Sequence, residues 1–420
     1  MTTTDTLHDP VTLPCGLVLP NRIMKAALSE VLADREHAPD ARLERLYSAW
    51  ARGGYGLIVT GNVMVDGSQL AEPGNIVIED TRHLDALTRW ARTTKDGNGG
   101  GVPILAQLNH PGRQANPLAF GHVPVAPSPV PLNFPGAATP RELTSAEIED
   151  IIDRFATTAA ICEAAGFDGV QIHGAHGYLI TQFLSPLSNR RTDEWGGDPQ
   201  RRRRFVLEVV RRVRARVSPG FAVAIKLNSA DFQRGGFTED ESRAVLEALA
   251  PEGLDLIEIS GGSYEQPAMM GAVSESTRQR EAYFLAYART VRTLIGDIPL
   301  AVTGGFRSRS AMAAAVAAGD CDVIGLGRPT VTTTDAAHVI LTGRADAVPS
   351  YHPRYGMRRM LGRFVDLKQL DGLLELAWHT DQLHRVGAGL PPDLNRGRLA
   401  ATLAMLRRNG RASFRRKRGP

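Results

Sequence analysis

Short apolar runs recur eight times along the chain, each ending in glycine or a polar residue, with helical spacing in most of the intervals between them. They occupy positions 23–27, 56–60, 103–108, 169–173, 222–227, 256–259, 300–303 and 322–326. A continuous apolar run of this length suits a strand buried on both faces, the condition found in parallel sheets. Parallel neighbours require crossover connections, usually helices. Leu43, Leu46, Tyr47 and Trp50 share one helical face, as do Leu84, Leu87, Trp90 and Ala91. Thr144 and Glu147 form a capping box ahead of Ile148, Ile151, Ile152, Phe155, Ala159 and Cys162. Thr238 and Glu241 repeat the device before a helix ending near Leu249, and further helices are predicted over 202–217, 281–295 and 308–319. This alternation predicts an α/β fold of the TIM (β/α)8-barrel type over residues 1–335, with an N-terminal hairpin arm at 14–19. Residues 336–400 read as a C-terminal helical appendage packed on the barrel, and 401–420 as a flexible basic tail.

Composition removes several function classes. The net charge is +4, yet Arg407, Arg408, Arg411, Arg415, Arg416, Lys417 and Arg418 supply seven positive charges, so the rest of the chain carries −3. A basic tail on a mildly acidic body, without other nucleic-acid signatures, reads as a solvated terminus, so neither a nucleic-acid nor a membrane partner is expected. Cys15, Cys162 and Cys321 are too far apart in sequence for a metal or iron–sulfur spacing. No leader segment or membrane-length apolar run is evident, and a cytoplasmic location is expected. The composition is compatible with a homo-oligomer.

In a barrel of this type the chemistry lies at the C-terminal strand ends. Here those ends carry Ser29, Asn62, Gln107, His173, Lys226, the turn starting at Ser260, Gly304-Gly305 and Gly327-Arg328. The last two pairs sit where this fold binds phosphate: glycine lets backbone N–H groups approach an anion, and Arg328 adds charge-assisted hydrogen bonds. Gln107 offers a donor and an acceptor on one planar amide, and Lys226 a positive charge, which together suit a phosphorylated heterocycle that becomes negative when reduced. The fourth run then delivers His173, His176 and Tyr178 within six residues. These histidines could be satisfied core residues, a metal pair, or donors to an anion.

The ordered set of residues resembles the old yellow enzyme family of flavin-dependent ene-reductases. It includes Leu19-Pro20-Asn21-Arg22-Ile23, Gly56-Leu57-Ile58, Gln107-Leu108 with His110 and Gly112-Arg113, and His173 through Leu179. It continues with Gln182 to Pro186, Asn189, Arg191-Thr192-Asp193, Trp195-Gly196-Gly197, Arg202, Arg204-Phe205 and the run from Gly325 to Arg328. The resemblance spans residues 7–335.

It implies FMN bound non-covalently in the barrel mouth, with NAD(P)H as reductant. Ala26, Ala27, Leu28 and Ser29 would line the flavin, Ser29 near its redox-active edge. Asn62, Gln107 and Lys226 would meet the ring, and Gly327 with Arg328 the phosphate. His173 and His176 would hold the carbonyl oxygen of an α,β-unsaturated substrate, and Tyr178 would supply a proton, in a ping-pong reduction of the C=C bond. No metal is expected. Lys226 stands where the family usually has Arg, Ala27 where Pro is frequent, Trp195 for Tyr and Asp198 for Ser. Other readings remain open here: dehydrogenation or isomerisation on the same flavin, a Schiff base on Lys226, a metal-dependent hydrolase using His110, His173 and His176, and a binding module with a basic tail. The 116–141 excursion and the 264–280 loop, with Tyr264, Met269 and Met270, are expected to shape the pocket.

Overall fold

The computed structural model describes residues 6–97, 101–116, 122–133, 137–261, 281–349, 351 and 367–414. Each apolar run forms a strand: β1 (Ile23–Lys25), β2 (Leu57–Met64), β3 (Ile104–Asn109), β4 (Gly169–Gly174), β5 (Ala222–Asn228), β6 (Leu256–Ser260), β7 (Leu300–Thr303) and β8 (Val323–Leu326). Neighbours pair in parallel in chain order, and β1 pairs with both β8 and β2, so the sheet closes on itself. Closure leaves no open edge among these strands. Ile76–Val77 adds a short parallel strand beside β2.

The crossovers are α1 (Ala41–Ala51), α2 (Leu84–Asp96), α3 (Ser145–Ala164), α4 (Pro199–Arg216), α5 (Glu239–Leu249), α6 (Leu285–Val291) and α7 (Arg309–Ala317). Both expected capping boxes form, at Thr144 with Glu147 and at Thr238 with Glu241. Each satisfies orphan N–H groups of the first turn, and losing such a cap costs about 1 kcal/mol. The predicted face of α3 is buried throughout, against the outer faces of the strands.

Inside the barrel the side chains are layered. The floor is apolar: Met24, Leu57, Val59, Leu105, Ala222, Ala224, Leu256, Ala301 and Val323 pack with Val11, Leu13 and Leu19. Val11 and Leu19 belong to the antiparallel pair Val11–Thr12 and Val18–Leu19 and Leu13 to the turn that joins it, so the N-terminal arm plugs the lower opening. Burying a leucine such as Leu105 there contributes about 2 kcal/mol. Above the floor the interior turns polar, with Gln107, Gln171, Lys226 and Glu258 all buried.

The structure refines several boundaries. β2 extends beyond the expected 56–60 to Met64, with a register shift against β3 between Val59 and Asn62. Such a bulge re-aims the residues that follow it. The stretch after β4, expected as one long loop, contains the helix Leu179–Leu184. The predicted helix over 281–295 is realised as Leu285–Val291. Within the proline-rich excursion Val125–Ala126 pairs with Arg141–Glu142. The 264–280 loop, including Tyr264, Met269 and Met270, lies outside the described residues, as does most of the 351–363 loop.

After β8 come short helices at Pro329–Thr332 and Ala336–Leu341, then Leu367–Gly387 and Arg398–Phe414. Arg45 of α1 donates to the Gly387 carbonyl at 2.7 Å, and Trp378 is buried, donating to Arg396 O at 3.0 Å. The span read as a basic tail from residue 401 begins inside the last helix, and Arg408 pairs there with buried Asp381 at 2.7 Å. Among the described residues no helix is long and apolar enough to cross a membrane.

Candidate active site

β4 ends at the mouth and presents three side chains. His173 and Tyr178 are buried, and the His173 ring lies 5.1 Å from that of His176 and 4.9 Å from that of Tyr178. Reaching this arrangement bends the backbone: His176 has φ +63°, a left-handed conformation costly for a residue with Cβ, followed by Gly177 at +79°. Three contacts hold His176 in place. Its N–H donates to Asn228 Oδ1 at 3.2 Å, its carbonyl accepts from Gln114 Nε2 at 3.0 Å, and its Nε2 lies 2.9 Å from Ser260 Oγ. Strained residues held so firmly cluster at functional sites.

Burial pushes both imidazoles well below their usual pKa, and the charge of Lys226 adds to the effect; at His173, His176 contributes as well. Both rings are therefore neutral at pH 7. His173 Nδ1 accepts from Ala175 N at 3.3 Å, so its proton sits on Nε2 and is available to an acceptor. Asn62, re-aimed by the bulge in β2, donates from Nδ2 to Tyr178 Oη at 3.2 Å.

Below the histidines, Gln107 Nε2 donates to Gln171 Oε1 at 2.7 Å, and Gln171 Nε2 donates to Glu258 Oε2 at 2.7 Å. Lys226 Nζ lies 2.8 Å from Glu258 Oε1. That contact commits the Lys226 nitrogen to Glu258 instead of presenting it as a nucleophile for a Schiff base. His110 does not join the histidine pair: it accepts from Gly112 N at 3.1 Å and faces Asp66 at 3.8 Å. Among the described residues no three His, Cys, Asp or Glu side chains are grouped to hold a metal ion.

The segment after β1 lines another side of the mouth. Ala26 is buried and hydrogen-bonds to Leu326 O at 2.9 Å, while Ala27, Leu28 and Ser29 are half-buried. The Ser29 hydroxyl donates to Glu72, whose carboxyl is raised by burial. Behind them Lys25 lies 3.6 Å from Glu30 and 4.0 Å from the Trp50 ring centroid, its pKa lowered to about 8 by burial, against the opposing pull of Glu30. Glu30 also accepts from Tyr47 Oη at 2.5 Å and Gly61 N at 2.9 Å. A Cβ at Gly61 would stand 1.9 Å from Glu30 Oε2, so only glycine fits at this position.

At the ends of β7 and β8, which pair through Thr303 and Gly325, lie Gly304-Gly305 and Gly327-Arg328. Gly304 and Gly305 have φ +145° and +89°, conformations that L side chains rarely adopt. A Cβ at Gly327 would meet nothing closer than Leu28 Cδ2 at 3.7 Å, so space is open above this backbone. Arg328 Nη1 lies 3.1 Å from Glu375 Oε1 of Leu367–Gly387.

These features fit FMN. The buried Asn62 Oδ1 and Thr303 Oγ1 have no hydrogen-bond partner among the described residues, which leaves acceptors for a bound ring or its side chain. The open glycine face beside Arg328 suits a phosphate, and Gln107 with Lys226 suits a ring that gains negative charge.

Gln171, Glu258, Asn228 and Gln114 join the site only in the structure, and Ser260, at its strand end, gains His176 as partner. A signal existed for two of them: Gln171 and Glu258 are polar residues inside otherwise apolar strands, on the interior face shared with Gln107 and Lys226. For Gln114 no local pattern points to His176.

Comparison with known proteins agrees with this chemistry. An NADH-dependent flavin oxidoreductase, iliE of Hypocrea jecorina (strain QM6a), is 39% identical over 342 residues, covering 76% of this chain and 85% of that one. An iliE of Neonectria sp. (strain DH2) is 38% identical over 350 residues, 77% of this chain, but the chain spans only 45% of that relative's length. The structure of morphinone reductase in complex with tetrahydroNAD superposes with a TM-score of 0.67 at 26% identity, covering 82% of this chain and 92% of that one. The NADH:flavin oxidoreductase / NADH oxidase family model matches residues 6–347, and the chain belongs to that family.

Proposed function

We propose that the mouth binds an α,β-unsaturated carbonyl compound and reduces its C=C bond, with nicotinamide and alkene using the same mouth in turn. The chain is an oxidoreductase of a family that works with FMN and NAD(P)H. Bound FMN supplies hydride chemistry, recharged by NAD(P)H. The observation that carries the reading is the neutral pair His173 and His176 beside Tyr178. Two neutral imidazoles side by side can donate to a carbonyl oxygen and strengthen their hold as it becomes negative. Tyr178 is the general acid for the carbon alpha to that carbonyl. Its oxygen accepts a hydrogen bond from Asn62 Nδ2, which holds the phenol at the mouth.

The test is spectroscopic. Purified protein should show a flavin spectrum, and adding a para-substituted phenol should raise a broad long-wavelength band as the phenolate is held by His173 and His176. A colourless protein that takes up no added FMN would sink the reading.

A further inference from the structure

We propose that Glu258 is a positioning residue for the cofactor ring: it dictates which way the Gln107 amide faces, and by limiting how much of the Lys226 charge reaches the mouth it sets the balance between oxidised and reduced FMN. This rests on the reading of Gln107 and Lys226 as ring contacts.

The polarity of the chain of contacts follows from its anchor. A carboxylate paired with lysine at 2.8 Å is ionised and can only accept. Gln171 must therefore turn its NH2 group toward Glu258, as it does at 2.7 Å, which leaves its carbonyl oxygen facing Gln107. Gln107 must answer with its own NH2 group, again at 2.7 Å. Its carbonyl oxygen and second N–H then remain for the mouth. Amide orientation is ordinarily ambiguous; here one buried charge resolves it through two residues. Replacing the carboxylate by an amide, which both donates and accepts, would let the whole chain reverse.

The barrel makes room for this path. Gln171 on β4 and Glu258 on β6 are separated by β5, whose residue in register with Gln171 is Ala224. A larger side chain there would stand between them. Gln107, Gln171, Lys226 and Glu258 are each at most 2% exposed. An ion pair buried this deeply gains little over an apolar filling of the same shape, so stability alone does not account for it.

The chemical consequence concerns charge. Hydride delivery to FMN adds two electrons and one proton, so the ring gains one negative charge. Lys226 favours that charge, and Glu258, in register beside it on the next strand, opposes it. The pair therefore holds the potential below the value an unopposed lysine would set.

The experiment measures the midpoint potential of the FMN-loaded protein at pH 7, by dye equilibration, for the native chain and Glu258→Gln. The variant is expected to favour reduced over oxidised FMN at least tenfold more than the native chain, a rise of about 30 mV for a two-electron couple. The rise should vanish when Lys226→Met is added, because a carboxyl buried without its lysine takes up a proton and has no charge left to remove. A potential that is unmoved or lower in Glu258→Gln, or an equal rise in both backgrounds, overturns the proposal. If Glu258→Gln does not fold, Gln171→Met keeps the ion pair and frees only the Gln107 amide. It should weaken oxidised and reduced FMN alike by about fivefold, the loss of roughly one hydrogen bond, with the potential unchanged. Unaltered affinity or a shifted potential overturns the proposal. A native chain that binds no FMN fails the cofactor reading instead, which keeps the two failures apart.

Discussion

Asn62 on β2 donates to the phenol oxygen of Tyr178, 116 residues later in the chain, across 3.2 Å. The contact exists because the bulge between Val59 and Asn62 turns this side chain toward the mouth. It holds the phenol by its oxygen, beside the His173 ring.

Tyr178→Phe should therefore slow the alkene-reducing half-reaction by about 10²–10⁴-fold while leaving flavin reduction by NAD(P)H nearly unchanged. Stopped-flow measurement of the two half-reactions separates them. Equal losses in both would count against proton donation by Tyr178.

Ser260 lies 2.9 Å from His176 Nε2 and fixes that ring. Ser260→Ala should weaken binding of a para-substituted phenol by about 1 kcal/mol, close to fivefold, without loss of FMN. Titration of the long-wavelength band reads the change, and unchanged phenol affinity would deny Ser260 this role.

The histidines also predict a pH dependence of stability. Their folded pKa values lie below the unfolded value of 6.5 because the fold buries them. Below that pH the unfolded chain binds protons that the folded chain refuses, so stability present above pH 6.5 is lost as pH falls toward the folded values. Urea midpoints should be level from pH 7 to 8 and decline below about pH 6. His173→Asn with His176→Asn should flatten that decline, and an identical profile in the double variant would contradict the assignment.

Arg328, on the open side of Gly327, pairs with Glu375 from a helix beyond the family match. Arg328→Ala should weaken FMN binding by about 2 kcal/mol, the range for a hydrogen bond to a charged group, and leave riboflavin nearly unaffected because it lacks the phosphate. Glu375→Gln removes a negative charge beside the same arginine and should tighten FMN but not riboflavin. Calorimetry on apo-protein with both ligands decides, and parallel changes in FMN and riboflavin would remove the phosphate from Arg328.

Much of this protein is local in origin. The apolar runs that became β1 to β8, the capping boxes at Thr144 and Thr238, and the delivery of His173, His176 and Tyr178 at one strand end all follow from residues near each other in sequence. Backbone hydrogen bonding and apolar periodicity act over a few residues, so such features are legible without a structure. The partners of the functional groups are not. Gln171 finds Glu258 only because the barrel brings β4 and β6 to either side of a small residue on β5. Asn62 finds Tyr178 only through a register shift, Ser29 finds Glu72 through a loop, and Arg328 finds Glu375 through a helix that docks after the barrel has closed. Sequence period specifies which face a side chain occupies, whereas strand register and closure decide what stands opposite it. The tuning of the site therefore belongs to the tertiary structure alone.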